Sequence, residues 1–199
     1  MFSCINCGAE TKYENGLCFD CYQEKEKNEK NGLSDKEYTY RYGMIKGRIA
    51  ETLIQELFLS LGYNVFRYGM ENTIPGIMGL LKGVKSNVAT EIRRMPDFVI
   101  QNKDNFEVYF VEVKFRAAEQ FSLRDIEQKK GVEYPYQNAY FIVVSKKHIK
   151  CITYEQLKNG EEITPTSKNY LGNVKEFSLD KNVIIEFCDF AVKFFESVK

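Results

Sequence analysis

The sequence predicts an α/β fold: a mixed central sheet flanked by helices, behind a small cysteine-rich N-terminal segment. Three observations predict it. Ile45, Ile49, Leu53, Leu57 and Leu61 recur at helical spacing. Strand-like apolar runs follow at 97–100, 106–115 and 139–144. A helix signal at Ser122 separates the second run from the third, so the order reads helix, strand, strand, strand, helix, strand.

The elements are read in order as follows. Residues 1–22 form the cysteine unit, and 23–38 are a mixed-charge linker or helix ending near Asn31-Gly32. From Tyr40 an amphipathic helix runs to Gly62, which stops it. Residues 63–68 suit a short strand. Residues 69–95, with Pro75 and several glycines, read as an irregular loop holding a short helix around 77–81. A turn at Asn102-Lys103-Asp104-Asn105 joins the first two of the three strand runs. Ser122 and Asp125 form a capping box that opens a helix to about Lys130. Residues 139–144 are apolar throughout, as a central strand requires. Residues 149–153 give another strand, with Thr153 capping a short helix, and 183–198 are apolar at helical spacing, though the first few of them could equally be a strand.

With 199 residues, 44% hydrophobic and 28% charged, the chain is predicted to be globular and large enough for a core plus a small appendage. No apolar run reaches the ~18 residues of a membrane span. The N-terminus lacks a basic stretch followed by an apolar core, so a cytoplasmic protein is expected. Lys plus Arg and Asp plus Glu both total 28. That balance argues against a broad non-specific coating of nucleic acid while permitting a local basic patch. Cys151 and Cys188 stand in apolar surroundings and read as small buried hydrophobes.

Cys4-Ile5-Asn6-Cys7 and Cys18-Phe19-Asp20-Cys21 are two C-x-x-C pairs. Each pair can grip one side of a tetrahedral ion, which points to structural zinc held by Cys4, Cys7, Cys18 and Cys21. Gly8 fits the tight turn of a knuckle. The segment has little apolar material, so metal binding would supply its folding energy. Disulfides or a redox pair are the alternatives, and clustered cysteines in a reducing compartment disfavour them.

Pro96-Asp97 opens one strand, and Glu112-Val113-Lys114 lies on the next. Residues two apart on a strand share a face, so Glu112 and Lys114 project together. A hairpin brings Asp97 beside Glu112, where two carboxylates repel unless a cation such as Mg²⁺ relieves them. The bland alternative is a solvent-exposed cross-strand pair of little energetic weight.

This pattern resembles the PD-(D/E)xK nuclease superfamily, over about residues 40–155. The resemblance implies a restriction endonuclease-like αβββαβ core within a domain at 39–199. It implies that Asp97 and Glu112 ligate Mg²⁺ or Mn²⁺, that Val113 offers its carbonyl, and that Lys114 acts on the attacking water. Glu51, on the first core helix, matches a further family carboxylate, and Gln128 loosely matches a family Gln or Tyr. The pattern is similar to that of archaeal Holliday junction resolvases and related restriction-like enzymes. The activity implied is a metal-dependent endonuclease on DNA, with RNA as the alternative substrate and a homodimer as the assembly. A catalytically inactive DNA- or protein-binding module is the competing reading. The zinc module would aid DNA binding or recruit a protein partner. Arg48, Lys82, Lys85, Arg93, Arg94 and Arg116 are candidate phosphate contacts, and Tyr40, Tyr42 and Tyr68 candidate stacking surfaces. His148, the only histidine, is read as a surface residue.

Overall fold

The computed structural model describes residues 2–14, 16–69, 76–81, 83–127 and 133–196, without the side chains of 26–31 and Met78. Lys82, Pro75 and Gln128 lie outside the described residues. The chain divides into two compact units, Met1–Ile45 and Lys46–Lys199. The division falls inside a long helix, a few residues beyond the boundary expected from the composition.

In the first unit, two short strands, β1 (Phe2–Ser3) and β2 (Glu10–Thr11), pair antiparallel. Helix α1 (Phe19–Asn31) carries the mixed-charge run. It stops at Gly32, whose φ of 59° is left-handed and favours glycine. Helix α2 (Asp35–Ser60) then begins five residues earlier than the apolar period predicts. Its start is set by a polar device rather than by periodicity. The Ser34 backbone N–H donates to Glu37 Oε2 (3.0 Å), and the Glu37 N–H donates to Ser34 Oγ (3.3 Å).

In the second unit, the buried stripe of α2 is Ala50, Leu53, Ile54, Leu57 and Phe58, as the spacing predicts. Gly62, at φ 84°, ends the helix and turns the chain into β3 (Asn64–Arg67). The segment at 69–95 holds the expected short helix α3 (Ile77–Leu80) and also α4 (Asn87–Arg93), which the loop reading missed. Ser86 caps α4, accepting from the Ala89 N–H at 3.1 Å.

The sheet strands follow as β4 (Phe98–Gln101), β5 (Val108–Phe115), β6 (Ala139–Val144) and β7 (Ile149–Thr153). The spatial order is β3-β4-β5-β6-β7, with β5–β6 parallel and every other pair antiparallel. Between β5 and β6 lies α5 (Leu123–Ile126), opened by the Ser122–Asp125 capping box but ending well before Lys130. Thr153 caps α6 (Tyr154–Lys158), accepting from Gln156 N–H at 3.1 Å. The tail forms α7 (Lys181–Phe195), so the residues from Val183 onward that could equally have made a strand are helical.

Helices cover both faces. On one, Phe115 meets Phe195 of α7 at 4.2 Å between ring centroids and lies under the Lys46 ammonium of α2. On the other, Phe141 and Val143 of β6 pack with Phe121, Tyr134, Ile152, Tyr154, Leu157 and Ile163. Burying each large apolar side chain contributes about 1.5–3 kcal/mol. Central strand β6 is buried at every position except Tyr140, matching its unbroken apolar run. No helix among the described residues is long and apolar enough to cross a membrane.

Candidate functional site

The first unit gathers the four N-terminal cysteines. Their sulfurs all lie within 4.8 Å of one another. Cys7 Sγ and Cys18 Sγ are 3.6 Å apart, close to the ~3.8 Å edge of a tetrahedron with Zn–S bonds of about 2.3 Å. All six cysteines of the chain are free thiols. The first knuckle forms because Cys4 N–H donates to Ala9 O (2.8 Å) and Gly8 N–H donates to Cys4 O (3.0 Å). Gly8 takes φ 76° at that turn, which its lack of a side chain permits. Asn6 donates from its backbone to Cys4 Sγ and from its amide to Cys21 Sγ, both at 3.4 Å.

The thiols titrate far apart. Backbone N–H groups of Cys18 and then Cys7 lower the Cys4 pKa to about 6. The Asn6 amide favours the Cys21 thiolate, but the thiols of Cys7 and Cys18 together with burial push that pKa up to about 12. Thiolates this close repel, and a cation is what allows them to be charged together. The cluster can hold a metal ion such as zinc.

In the second unit, β4 and β5 bring the sequence-predicted carboxylates together. Phe98 opposes Val111 in their antiparallel register. One step further, Asp97 opposes Glu112, and their side chains leave the same face of the sheet. Asp97 Oδ2 accepts a hydrogen bond from the Val113 backbone N–H at 2.7 Å. Glu112 and Lys114, two residues apart on one face, form an ion pair through Oε1 and Nζ. The other carboxylate oxygen, Glu112 Oε2, is buried and has no hydrogen-bond partner among the described residues. Glu51 stands on α2 at a half-buried position.

Burial raises the pKa of Glu112; Lys114 and the Asp97 backbone N–H oppose the rise, while the charge of Glu51 adds to it. Burial also works against the Lys114 ammonium, yet the charges of Glu112 and Asp97 outweigh it and its pKa is raised. Lys114 is thus a firmly protonated cation serving as the counter-charge of Glu112. The one ammonium pairs with Oε1 and leaves the buried Oε2 unmatched among the described residues. Oxygen donors with one buried oxygen unmatched fit a hard divalent cation.

The predicted basic residues divide by what they touch. Arg93 donates to the backbone carbonyls of Leu81 (3.1 Å) and Val84, closing the loop before α4. Arg94 donates to Glu133 O (2.8 Å) and Ile126 O (3.1 Å). Arg116 pairs with Asp125 at 3.4 Å and lies over the Phe121 ring. These three arginines tie loops and the connection between β5 and β6 together. Arg48 and Lys85 are exposed. Tyr40 is exposed, Tyr42 stacks on Tyr38, and Tyr68 packs against Phe110 and Tyr136.

Cys151 is buried as expected, with burial raising its thiol pKa, whereas Cys188 is only half-buried. Two further features escaped the sequence. His148 is half-exposed, and its Nδ1 contacts Glu119 Oε1 at 2.9 Å. Glu119 also pairs at 3.1 Å with Lys150, whose side chain is 1% exposed. Strand alternation placed Lys150 among buried residues, a signal that could have revealed this cluster. Tyr134, on the approach to β6, is buried beside the carboxylates, and no local pattern pointed to it. The chain matches no protein-family model and no curated protein.

Proposed function

We propose that this chain is a divalent-metal-dependent nuclease of the PD-(D/E)xK type that hydrolyses phosphodiester bonds of DNA. In this reading the second unit has a restriction endonuclease-like core, and the four cysteines hold structural zinc. One observation carries it: a buried Glu112 oxygen without a partner, beside Asp97 and next to the Lys114 ammonium. Supporting it is the strand arrangement, in which the Asp and the Glu-x-Lys stand on adjacent antiparallel strands and β6 is added parallel after a helix.

Asp97 and Glu112 would hold Mg²⁺ or Mn²⁺, with the Val113 carbonyl as the ligand implied by resemblance. Such an ion supplies Lewis acidity toward the phosphate and lowers the pKa of a bound water. The chain's own contribution is positional and electrostatic. The Asp97 carboxylate is fixed by the Val113 N–H. Lys114 brings a protonated ammonium to the reacting face, where it stabilises negative charge developing on the phosphate. Glu51 adds a third carboxylate within electrostatic reach of Glu112. Water attacks the phosphorus and gives its proton to solvent or a phosphate oxygen, while the P–O bond to the departing strand breaks with its electron pair on the leaving oxygen, which takes a proton from solvent.

The cysteine module carries Glu10, Glu14 and Asp20 against Lys12. Four thiolates around a dication add further negative charge, so phosphate gripping is disfavoured there and a protein partner is the better reading.

The test compares wild type with Asp97→Ala and Lys114→Ala on supercoiled, linear, single-stranded and branched DNA and on RNA, with and without Mg²⁺. Mg²⁺-dependent DNA cleavage is expected in wild type, reduced about a thousandfold or more in each variant. Equal activity in all three proteins removes these residues from the chemistry. Zinc content of Cys4→Ser and Cys18→Ser variants tests the cluster, and an unchanged content rejects it.

A further inference from the structure

Two side-chain polar atoms among the described residues are buried without a hydrogen-bond partner: Glu112 Oε2 and the hydroxyl of Tyr134. A buried polar group left unpaired costs free energy, so one such atom calls for a cause. Here both belong to one place. The Tyr134 ring packs on Phe141 at 5.3 Å, and Phe141 is the strand partner of Glu112 in the parallel register. Burial raises the phenol pKa first, and then the negative charges of Glu112 and Asp97 raise it further.

The tyrosine is held firmly. It is 3% exposed. The Arg94 guanidinium lies over its ring at 5.3 Å, and Tyr154 and Tyr136 pack beside it, each at 5.7 Å. Its backbone N–H donates to the Tyr154 hydroxyl at 3.1 Å and lies 3.3 Å from Glu127 Oε1. Five neighbours therefore fix a tyrosine whose hydroxyl has no hydrogen-bond partner among the described residues. An unpaired phenol and an unpaired carboxylate oxygen meet the same site without bonding each other. A hydrated cation satisfies both: the ion takes the carboxylate, and a water of its hydration shell takes the phenol.

We infer that Tyr134 is a positioning residue of this site, its hydroxyl hydrogen-bonding a water in the hydration shell of a divalent cation held by Glu112 and Asp97. The inference rests on the nuclease reading for its metal and adds the residue that orients the metal's water. It also gives Arg94 a role, since Arg94 seats the tyrosine ring rather than contacting phosphate.

Tyr134→Phe in the full chain removes only the oxygen and keeps the ring packing. Three quantities are read: thermal midpoint without metal, the Mg²⁺ concentration giving half the thermal stabilisation, and the cleavage rate. The expected result is an unchanged or higher metal-free midpoint, an Mg²⁺ midpoint raised about tenfold, and slower cleavage. Glu112→Gln serves as the control that loses the Mg²⁺ response. A wild-type protein whose stability ignores Mg²⁺ overturns the metal site and this inference together. A wild-type response to Mg²⁺ that Tyr134→Phe reproduces in midpoint and rate overturns the inference alone. So does a lower metal-free midpoint in Tyr134→Phe, because it shows the hydroxyl already has a structural partner.

Discussion

Two glutamates in the second unit are built from the same parts and come out opposite. Glu119 and Glu112 are both largely buried, with side chains 10% and 14% exposed, and each pairs with a lysine. Glu119 is fully matched. It accepts from Ser145 Oγ at 2.8 Å, contacts His148 Nδ1 at 2.9 Å and pairs with Lys150 at 3.1 Å. Burial alone would raise its pKa, but Ser145, Lys150 and His148 outweigh burial and the pKa is lowered. Glu112 has one lysine, an unmatched oxygen and two acidic neighbours, and its pKa is raised. The contrast teaches how to separate architecture from chemistry. A buried carboxylate whose oxygens are all matched holds the fold, and one left short holds a place for something else.

The sharpest way to break this contrast is to neutralise each carboxylate in turn. On the proposed nuclease reading, Glu112→Gln should reduce cleavage about a thousandfold, equivalent to roughly 4 kcal/mol of barrier, while the metal-free protein melts no lower than wild type. Glu119→Gln should leave the metal-dependent rate per folded molecule near wild type. Cleavage by Glu112→Gln at the wild-type rate would erase the distinction.

The next effect is on stability. Glu119→Gln removes the carboxylate partner of buried Lys150 and leaves it the carbonyls of Thr164 (2.6 Å) and Pro165 (3.2 Å) and the Tyr170 ring. Removing one partner of a buried pair costs about 3–5 kcal/mol, which denaturant titration will resolve. A loss under about 1 kcal/mol would mean that the carbonyls suffice.

A third, smaller test uses pH. Glu119 has a lowered folded pKa, so its stabilisation is present above the ordinary Glu value of 4.5 and is lost as pH falls through the lowered one. Glu112 has a raised folded pKa, so its protonated form stabilises below 4.5, and that contribution is lost as pH rises through the raised value. Metal-free melting across weakly acidic pH should therefore decline less steeply with rising pH in Glu112→Gln. Glu119→Gln should flatten the acid limb instead. Identical pH curves for the two variants would contradict the assignment. Smallest is Ser145→Ala, expected to cost about 1–2 kcal/mol, since Ser145 Oγ also accepts from the His148 N–H at 2.8 Å.

What the sequence disclosed follows the same division. The long helix, strands β4 to β7, the Thr153 cap and the paired C-x-x-C motifs were legible because each is written in local spacing. So was the Asp97, Glu112 and Lys114 grouping, which needs only strand alternation and one hairpin. The start of α2 was missed because Ser34 and Glu37 cap it ahead of any apolar period. Helix α4 was hidden among glycines, where seven residues are too few to show a helical period. Helix α5 was expected to run longer because a capping box signals a beginning and says nothing about an end. Tyr134 could not be read at all, and Glu119 only indirectly, through the strand position of its partner Lys150. Their partners come from β6, β7 and the segments around them, and Glu119 takes a left-handed φ of 53° that no pattern announces.

The sheet joins local and distant pairings at β5, and that has a kinetic consequence. Strands β4 and β5 pair antiparallel across a short turn, whereas β6 joins β5 in parallel only after a long excursion of the chain. Short-range contacts close sooner than long-range ones. Asp97 and Glu112 therefore come face to face on an early hairpin, before the segment bearing Tyr134 has docked. Water screens their mutual repulsion in the nascent hairpin, and the repulsion grows as docking buries the pair, so the closing step is where a bound cation would speed refolding.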